Sequence, residues 1–426
     1  MNAKQNSRKI AVIGAGIIGV NCALALQMLG YQVTLIDKGE IGGGCSKGNA
    51  GHFATEQVFP LAEPSLLKQL PSMLFDPLGP ISLSPGHFFR AIPWFTAFFN
   101  NMRTTKRVRN GEAIKSLNND AIEYYKPILS AAKAENLLVS NGSLLVFEQT
   151  PYKDVVMMYK HYQQAGVAVE LLNKEQAFVL EPNLNDNINY ALFFTQVAHT
   201  GDPLAICKVL ADYAQSLGMK FQRLSIDSIE QIPTGIVINA MNERFKFDYC
   251  VVATGAWSKS LLSQLGYKLP IEAERGYSLS IPLAESESAL LSRPVASAER
   301  KFIITPMDEL LRLSGTVEYA GLHAKAKNQR ADVLLKNAEF ILNKLPEILP
   351  TENKNNSTRW MGCRPSLPDS LPVICQAPDH GNIFFAMGHQ HLGLTQGAIT
   401  GRLIGQLVTG EKTDIDVTPF CISRFN

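Results

Sequence analysis

Residues 9–37 read KIAVIGAGIIGVNCALALQMLGYQVTLID, and this stretch decides the fold of the first part of the chain. Residues 9–13 are apolar after the first lysine and predict a short buried strand. Residues 20–29 continue as an apolar helix, and residues 32–36 are typical of a second strand. The stretch therefore predicts a compact strand–helix–strand unit.

The turn between the first strand and the helix carries a glycine fingerprint. Gly14, Gly16 and Gly19 stand at the spacing GxGxxG. Glycines at these positions allow a tight turn, close approach of backbone to a pyrophosphate, and close packing of helix on strand. The second strand ends on Asp37, where a carboxylate can bind ribose hydroxyls. Together these features predict a dinucleotide-binding βαβ unit with the phosphates at the helix amino terminus.

A secretory signal or a membrane anchor is an alternative interpretation of the same stretch. No charged residue lies between Lys9 and Asp37, and Lys4 and Arg8 precede it. The glycine spacing and the β-like residues 32–36 argue against a signal or an anchor. No other stretch is apolar for long enough to span a bilayer. We therefore predict a soluble, cytoplasmic protein without a transmembrane segment.

Composition narrows the class of protein further. The 426 residues are 46% hydrophobic and 18% charged, with a net charge of +2, which is ordinary for a globular enzyme and gives no reason to expect nucleic acid. Seven scattered cysteines, never spaced as CxxC, indicate reduced thiols in the cytoplasm rather than a disulfide framework. No spacing of histidine, cysteine and acidic residues predicts a metal site.

The order of elements along the chain predicts a discontinuous cofactor domain. Nucleotide-type strands return at residues 219–223 and 249–253, and a glycine-rich loop leads into a final helix from Leu394. We also expect helices at residues 111–136, 151–165, 203–216 and 332–345. The fold class is α/β: a Rossmann-type cofactor domain and an inserted α+β substrate domain on a mostly antiparallel sheet. The cofactor domain comprises residues 1–60, 198–267 and 357–426, and the substrate domain comprises residues 61–197 and 268–356.

The loop after Asp37 is rich in glycine and small polar residues. Residues 42–51 read GGGCSKGNAG, so backbone could run close along an extended cofactor, with Ser46 and Asn49 as hydrogen-bonding side chains. A flexible surface loop is the alternative.

Several further motifs, taken together, resemble the D-amino acid oxidase superfamily. They are the glycine fingerprint with its acid, the loop at 42–51, ATGAWS at 253–258, RGY at 275–277, WMGCRPSLPDSLP at 360–372 and GHQHLGLT at 388–395. The closest likeness is to the D-amino acid dehydrogenase branch, and it extends over nearly the whole chain. The proline-rich segment 76–100 also fits that branch.

This resemblance implies non-covalent FAD, with the first βαβ unit holding the diphosphate and Asp37 the ribose. Ile226 would offer its backbone to the adenine, and the loop at 42–51 would lie along the flavin end. A helix amino terminus opening near Leu394 would stabilise negative charge on the reduced flavin. The residues expected to bind the cofactor are Gly14, Gly16, Ile17, Ile18, Gly19, Asp37, Lys38, Ser46, Asn49, Ala50, Gly51, Ile226, Thr254, Gly255, Gly388, His391, Leu392, Gly393, Leu394 and Thr395.

The resemblance also implies a substrate site. Arg364 matches the position of the family's carboxylate-binding arginine, and arginine binds carboxylates bidentately. Tyr277 could line the same pocket, and His391 could contact flavin or substrate. The alternatives are a structural ion pair for Arg364 and a core position for Tyr277, while His389 is interpreted as structural. No acid–base residue is assigned, because the amine can lose its proton before hydride transfer.

The expected reaction is oxidative deamination of a D-amino acid by hydride transfer to flavin, which gives an imino acid that water hydrolyses. The sequence of the loop at 388–395 favours the branch that acts on D-proline or hydroxy-D-proline. The alternatives are a glycine- or sarcosine-type amine oxidase that uses oxygen, and a flavin-binding subunit of a multi-subunit dehydrogenase. Oxygen, a quinone and a protein carrier all stay open as electron acceptors, and so does the oligomeric state.

Aromatic residues are concentrated just before a basic stretch. Phe88, Phe89, Trp94, Phe95, Phe98 and Phe99 precede Arg103, Lys106, Arg107 and Arg109. An aromatic core with a solvated basic tail is the favoured interpretation. The alternative is a peripheral contact with the inner face of the membrane, which would give access to a quinone.

Overall fold

The computed structural model describes residues 7–64, 66–67, 79–283, 290–343, 345 and 357–425. Its strands are β1 (Lys9–Ile13), β2 (Gln32–Asp37), β3 (His52–Phe53), β4 (Ile81–Leu83), β5 (Ser143–Phe147), β6 (Val169–Asn173), β7 (Tyr190–Phe194), β8 (Ala198–His199), β9 (Lys220–Arg223), β10 (Ser228–Ile232), β11 (Gly235–Ala240), β12 (Glu243–Phe247), β13 (Tyr249–Val252), β14 (Glu272–Pro282), β15 (Val295–Ser297), β16 (Phe302–Pro306), β17 (Leu310–Tyr319), β18 (Thr358–Ser366), β19 (Val373–Ala377) and β20 (His380–Met387). Its α-helices are α1 (Ile17–Met28), α2 (Pro85–Asn100), α3 (Thr104–Asn118), α4 (Ala121–Ala131), α5 (Tyr152–Gln164), α6 (Lys174–Leu180), α7 (Pro203–Ser216), α8 (Ser258–Gln264), α9 (Gln329–Ala338) and α10 (Gly393–Thr409).

A six-stranded sheet forms around the first βαβ unit, in the order β19-β20-β13-β1-β2-β9. All neighbouring pairs are parallel except β19 with β20. The chain first adds β2 and β9 on one side of β1 and then crosses to β13 and β20 on the other. The strand order therefore reverses between β1 and β13, which is where open α/β sheets bind their ligands. This arrangement confirms the predicted Rossmann-type sheet.

Helix α1 is buried between the sheet and other helices rather than in a membrane. It is apolar on almost all sides and packs against α7 and α10, which is the pattern of a helix buried in a protein core. Two glycines of α10 allow the close approach. A Cβ at Gly401 would lie 2.5 Å from the carbonyl oxygen of Asn21, and one at Gly397 would overlap the hydroxyl of Tyr125.

A nine-stranded, mostly antiparallel sheet forms the second layer, in the order β18-β14-β17-β16-β15-β5-β7-β6, with β4 beside β17. Among the described strands of this sheet, only the β5–β15 and β4–β17 pairs are parallel. One face is apolar and packs under α9, with Leu279, Ile304 and Leu313 fully or almost fully buried. The other face carries polar side chains. Strand β3, which follows the first βαβ unit in the chain, pairs with β8 in a separate two-stranded antiparallel sheet.

Two predicted helices differ from the structure. The helix expected over residues 111–136 is two helices, α3 and α4, because the chain turns at Asn119 and Asp120. The helix expected over 332–345 is α9, which starts three residues earlier and ends at Ala338. The helix expected over 151–165 corresponds to α5. Part of the predicted proline-rich segment, residues 76–78, lies outside the described residues.

Within the described ranges, no helix combines the length and apolar character that crossing a bilayer requires.

Candidate active site

The turn after β1, where the sequence predicts a phosphate group, requires glycine at two positions. Gly14 has a φ of +105°, and a Cβ there would overlap the carbonyl oxygen of Ala253 at the end of β13. A Cβ at Gly19 would in turn overlap the carbonyl oxygen of Gly14. Helix α1 has no acidic residue in its first turn. The amides of that turn, Ile18 among them, have no carbonyl partner within the helix and favour an anion.

Asp37 and Ser46 flank this turn. Asp37 Oδ2 accepts a hydrogen bond from Ala15 N at 2.7 Å, and Oδ1 accepts one from Gly39 N at 2.7 Å. Each carboxylate oxygen has a second lone pair, so this half-buried group can still accept ribose hydroxyls. Ser46 Oγ accepts from Ile17 N at 2.9 Å, which brings its hydroxyl to the start of α1.

The residues expected at the adenosine end lie around the carboxyl ends of the same sheet. Gly255 follows β13 with a φ of +55°, and the position of a Cβ there is open space. Thr254 precedes it, and Ile226 is half-buried between β9 and β10. Lys38 extends over the Trp257 ring, with Nζ 5.1 Å from the ring centre.

The glycine-rich loop at 42–51 is held at both ends. Gly42 N donates to Ala15 O at 2.8 Å, which ties the loop to the phosphate-binding turn. Arg312, from β17, donates to the carbonyl oxygen of Asn49 at 2.9 Å. These contacts argue against the alternative of a flexible surface loop.

The second half of this loop meets the polar face of the large sheet. A Cβ at Gly48 or at Gly362 would overlap the indole ring of Trp360. The Asn49 side chain accepts a hydrogen bond from Gly51 N at 2.9 Å, so it shapes the loop itself. The loop therefore lies between the two sheets.

The loop before α10 and the first turn of that helix contact β18 and the segment that follows the glycine-rich loop. Gly388 and Gln390 both have positive φ angles, of +84° and +51°. Gln390 N donates to Pro365 O at 3.2 Å, which ties the loop to the end of β18. Thr395 Oγ1 accepts from Ala54 N at 2.9 Å. The first-turn amides of α10, from Gly393 to Thr395, have no carbonyl partner within the helix.

Arg364 lies on the polar face of the large sheet, on β18. In the register of the strands it is opposite Glu274 on β14, and Arg364 Nη1 is 3.0 Å from Glu274 Oε1. A Cβ at Gly276 would lie 2.5 Å from the guanidinium carbon of Arg364, so the absence of a side chain there makes room for the arginine.

His391 lies in the electrostatic field of this pair. Burial, followed by the Arg364 guanidinium, lowers the pKa of His391 to about 4, so its imidazole is neutral at pH 7. His52 and Glu56 also act on it, and His52 Nε2 is 2.9 Å from Glu56 Oε1. Among the described residues, His52 Nδ1 and Glu56 Oε2 are buried without a hydrogen-bond partner. Buried polar atoms without partners are rare, and a water molecule, an ion or a ligand can satisfy them.

Tyr277 lies on the other face of the sheet from Arg364. Strand side chains alternate between faces, and Tyr277 packs in the apolar core under α9. Its hydroxyl donates to Glu318 Oε2 at 2.6 Å and accepts from Lys327 N at 3.1 Å. Its expected place in the same pocket as Arg364 is therefore corrected: the alternative, a core tyrosine, is the one that these contacts support. His389 is buried beside Thr400, with Nε2 3.0 Å from Oγ1, in agreement with a structural role.

Three groups of this site were not predicted from the sequence: Glu274, the His52–Glu56 pair and Arg312. For Glu274 a signal did exist, because Glu272, Glu274 and Gly276 alternate with Arg275 and Tyr277 and so must share a face of β14. That signal becomes specific only when β18 is known to be the neighbouring strand. No metal-binding cluster of histidine, cysteine and acidic residues is found in the described parts of the chain.

The glycine turn, the carboxylate at the end of β2 and the order of the six-stranded sheet fit a dinucleotide-binding protein, and Arg364 offers a cation on the neighbouring sheet. A flavin dinucleotide fits the residues present. Gly14 and Gly19 keep side chains out of the turn where a pyrophosphate would lie, and Asp37 retains lone pairs for a ribose. Helices α1 and α10 both begin with amides that have no carbonyl partner within the helix.

Comparison with known proteins identifies the family. Residues 9–407 match the model of the FAD dependent oxidoreductase (DAO) family, so the chain belongs to that family and is an FAD-dependent oxidoreductase. It is 33% identical to a D-amino-acid oxidase of Bradyrhizobium diazoefficiens over 98% of this chain and 99% of the relative. It is 28% identical to a D-amino acid dehydrogenase of Rhizobium johnstonii over 98% and 100% of the two chains. The fold is similar to that of glycine oxidase from Geobacillus kaustophilus, with a TM-score of 0.74 at 20% identity over 98% and 99% of the two chains.

Proposed function

We propose that this protein oxidises a D-amino acid to the imino acid, which water then hydrolyses. The observation that carries the proposal is Arg364, a partly exposed guanidinium on the polar sheet face. Among the described residues it makes one side-chain hydrogen bond, to Glu274. Two relatives that align over nearly the full length are named for D-amino acids. The arginine supplies what an amino acid substrate needs, a fixed partner for its α-carboxylate.

In this mechanism Arg364 binds the α-carboxylate and so orients the Cα–H bond towards the cofactor. Arginine is suited to this because its planar N–H groups bind both oxygens of a carboxylate. FAD, when bound, supplies the hydride acceptor. His391 is neutral near neutral pH, so it adds no positive charge that would compete for the carboxylate. No residue is assigned as general base, because an amine that is already deprotonated can release hydride directly.

We propose the cofactor-binding residues that the sequence predicts, and we keep the predicted domain boundaries. We assign residues 1–60, 198–267 and 357–426 to the FAD domain, and residues 61–197 and 268–356 to the substrate domain. All strands of the six-stranded sheet fall in the first set, which supports this division. Strand β18 also falls in the first set although it pairs with β14 in the nine-stranded sheet, which argues for a boundary after β18. Burial raises the pKa of Cys45, the cysteine of the glycine-rich loop, to about 12. That thiol is therefore a poor nucleophile, which supports a non-covalent cofactor.

Within this class we propose D-proline or hydroxy-D-proline as the substrate, because the sequence of the loop at 388–395 favours that branch. A glycine- or sarcosine-type oxidase and a flavin-binding subunit are the competing proposals. Anaerobic bleaching of the flavin absorbance by a panel of D- and L-amino acids, sarcosine and glycine distinguishes them. Bleaching by a D-amino acid supports our proposal, and admission of oxygen then tests an oxidase against a dehydrogenase. Bleaching by none of the compounds would contradict it.

Replacement of Arg364 tests the proposed mechanism. We expect Arg364→Ala to retain flavin but to be reduced by the best substrate roughly 10²–10⁴-fold more slowly, because a key orienting contact is lost. Arg364→Lys should recover part of this loss, since it restores charge but not the planar geometry. Arg244→Ala is the matched control, because Arg244 forms an exposed ion pair with Glu230 on the small antiparallel sheet. Unchanged reduction of Arg364→Ala would rule out the assigned role.

We also propose a peripheral contact between α2 and the inner face of the cytoplasmic membrane. Phe88, Phe89 and Ile92 on this helix are exposed, Phe89 by 79%, and Arg90 and Arg103 are exposed nearby. Trp94, in contrast, is buried, and its Nε1 donates to Ser366 O at 3.2 Å. Only part of the aromatic stretch therefore agrees with the core interpretation. An apolar face with basic neighbours suits an anionic lipid surface.

A further inference from the structure

Glu274 is fixed beside the arginine to which we assign the substrate carboxylate. The register of β14 and β18 puts the two residues directly opposite each other, and Tyr319 on β17 is opposite Glu274 on the other side. All three side chains therefore share the polar face of the sheet. The Glu274 side chain is only 6% exposed, and that of Arg364 is 25% exposed.

The contact between Glu274 and Arg364 is less saturated than a structural ion pair elsewhere on the same sheet. Arg300 and Glu148 form a two-pronged pair, with Nε to Oε1 at 2.8 Å and Nη2 to Oε2 at 2.7 Å. Arg364 and Glu274 share one hydrogen bond, from Nη1 to Oε1 at 3.0 Å. Within the described part of the chain, the Arg364–Glu274 pair therefore leaves N–H groups of the arginine and one carboxylate oxygen of Glu274 for other partners.

The neighbouring acidic residue on this face has a partner of its own. Glu272 lies two residues before Glu274, and its Oε1 is 2.9 Å from His87 Nε2 on α2. Glu274, in contrast, borders Arg364, and among the described residues it forms no hydrogen bond with a histidine. A nearly buried carboxylate is costly to leave without a cationic partner.

We infer that Glu274 binds the nitrogen of the substrate while Arg364 binds its α-carboxylate, so that the pair selects zwitterionic amino acids over acids without an amine. This inference rests on the proposed function. In an amino acid the ammonium and carboxylate groups are attached to the same carbon. An adjacent cation and anion on the protein match that arrangement with opposite charges. The substrate then replaces a single protein–protein hydrogen bond with charge-assisted bonds to both partners.

Glu274 should select amino acids because a ligand without an ammonium group leaves this carboxylate without its second partner. A 2-hydroxy acid offers the same carboxylate but a neutral oxygen where the amino acid has its ammonium group. Glu274 would then stay buried with only its one bond to Arg364. A site built to bind a polar group discriminates strongly against an analogue that lacks it, because buried partners are left unpaired. Glu274 is thus a specificity-determining residue and not an acid–base catalyst. The bound ammonium group loses its proton to water before hydride leaves Cα, so the reacting form is the neutral amine of the proposed mechanism.

The test compares Glu274→Gln with the wild-type holoenzyme, using the best D-amino acid substrate and the D-2-hydroxy acid of the same side chain. Binding of each is measured anaerobically, from the rate of flavin reduction against concentration for the amino acid and from the change in flavin absorbance for the hydroxy acid. The amide keeps the size of the side chain and can still accept from Arg364. We expect the amino acid to bind roughly 10- to 100-fold more weakly in the variant, the loss of a charge-assisted hydrogen bond. The hydroxy acid should bind within about threefold of the wild type.

Two controls keep the result interpretable. Glu148→Gln makes the same change in the buried pair with Arg300, near the end of β5 and four strands away from β14. Glu274→Asp keeps the charge and should recover part of the amino acid affinity. Flavin content and melting temperature report whether each variant is folded.

The outcomes separate the inference from the proposed function. Equal weakening of both ligands would mean that Glu274 only orients Arg364, and unchanged binding of the amino acid would mean that it does not contact the nitrogen. Either result overturns the inference while the wild type still oxidises D-amino acids. If no amino acid reduces the wild-type flavin, the proposed function fails and the inference fails with it.

Discussion

Gly276 determines where the guanidinium of Arg364 can lie. It faces the arginine on the neighbouring strand, and its backbone is not in a glycine-only conformation, so the reason for glycine is space. A side chain at this position would push the guanidinium away from Glu274. The smallest possible addition therefore changes the position of the charge without removing it.

We predict that Gly276→Ala lowers the rate of flavin reduction by substrate roughly 100-fold, the loss associated with a displacement of about 1 Å in a reacting group. The added Cβ would lie 2.5 Å from the guanidinium carbon, so Arg364 must move. Flavin content should not change. Gly86→Ala is the control, because a Cβ there meets nothing within 4 Å. Wild-type kinetics in Gly276→Ala would show that the observed arginine position does not matter for the reaction.

Single residues differ in how far the sequence could predict them. Asp37 and the three fingerprint glycines act within one local unit, so their spacing alone predicts a binding turn. The motif around Arg364 predicts it as the candidate for binding the substrate carboxylate, but the sequence does not predict that Glu274 is its partner. Glu274 lies 90 residues earlier in the chain and meets Arg364 only through the pairing of β14 with β18. For Tyr277 the sequence left a pocket position and a core position open for a related reason, since the motif RGY does not say which of its side chains turns inward.

At the scale of elements, helix α2 has two different sides. Trp94 packs its ring against Tyr319 and Phe98, with centroids 5.7 and 5.2 Å apart, which holds this side of the helix on the sheet that carries Arg364. The opposite side exposes Phe88, Phe89 and Ile92. Helical periodicity could have separated these two sets, whereas the aromatic content of the stretch could not.

We predict that the purified holoenzyme binds vesicles of anionic phospholipid and that Phe88→Asp with Phe89→Asp weakens this binding at least tenfold. Burial of a phenylalanine contributes about 1.5–3 kcal/mol, and each basic residue near an anionic surface contributes about 1 kcal/mol. Sedimentation with vesicles measures the bound fraction, and added salt should lower it. Val179→Asp is the control, because Val179 is 82% exposed on a different helix, α6. No binding by the wild type, or equal binding by both proteins, would contradict the proposed membrane contact.

At the scale of the whole molecule, the proposed cofactor site joins parts that are far apart in the chain. The phosphate-binding turn follows β1, the glycine-rich loop reaches the large sheet through Arg312, and the loop before α10 is tied to the end of β18. The sequence predicted each of these segments as a cofactor contact. It could not predict that they meet between two sheets, because that depends on long-range strand pairing. The proposed domain boundaries remain a prediction for the same reason.

Removal of FAD should therefore destabilise the whole protein and not only one loop. A ligand that binds only the folded state at 100 times its Kd stabilises that state by about 2.7 kcal/mol. For a protein of this size we expect a decrease in Tm of roughly 5 °C on removal of the cofactor, since about 1 kcal/mol corresponds to about 2 °C in larger domains. Readdition of FAD should restore Tm in a concentration-dependent way.

Fragments of the cofactor test which part of the molecule supplies this stabilisation. The fingerprint turn and Asp37 are proposed to bind the ADP half of FAD, so ADP should recover a measurable part of the lost Tm in the apoprotein. FMN lacks the adenosine and one phosphate, and its remaining contacts are with the loops between the two sheets, so it should recover less than FAD. The two fragments together should recover less than FAD. They carry three phosphates where FAD has two and so compete for one position, and they lack the covalent link that raises effective concentration. Full recovery by FMN alone would mean that the βαβ unit does not hold the dinucleotide, and it would contradict the assignment on which the site is built.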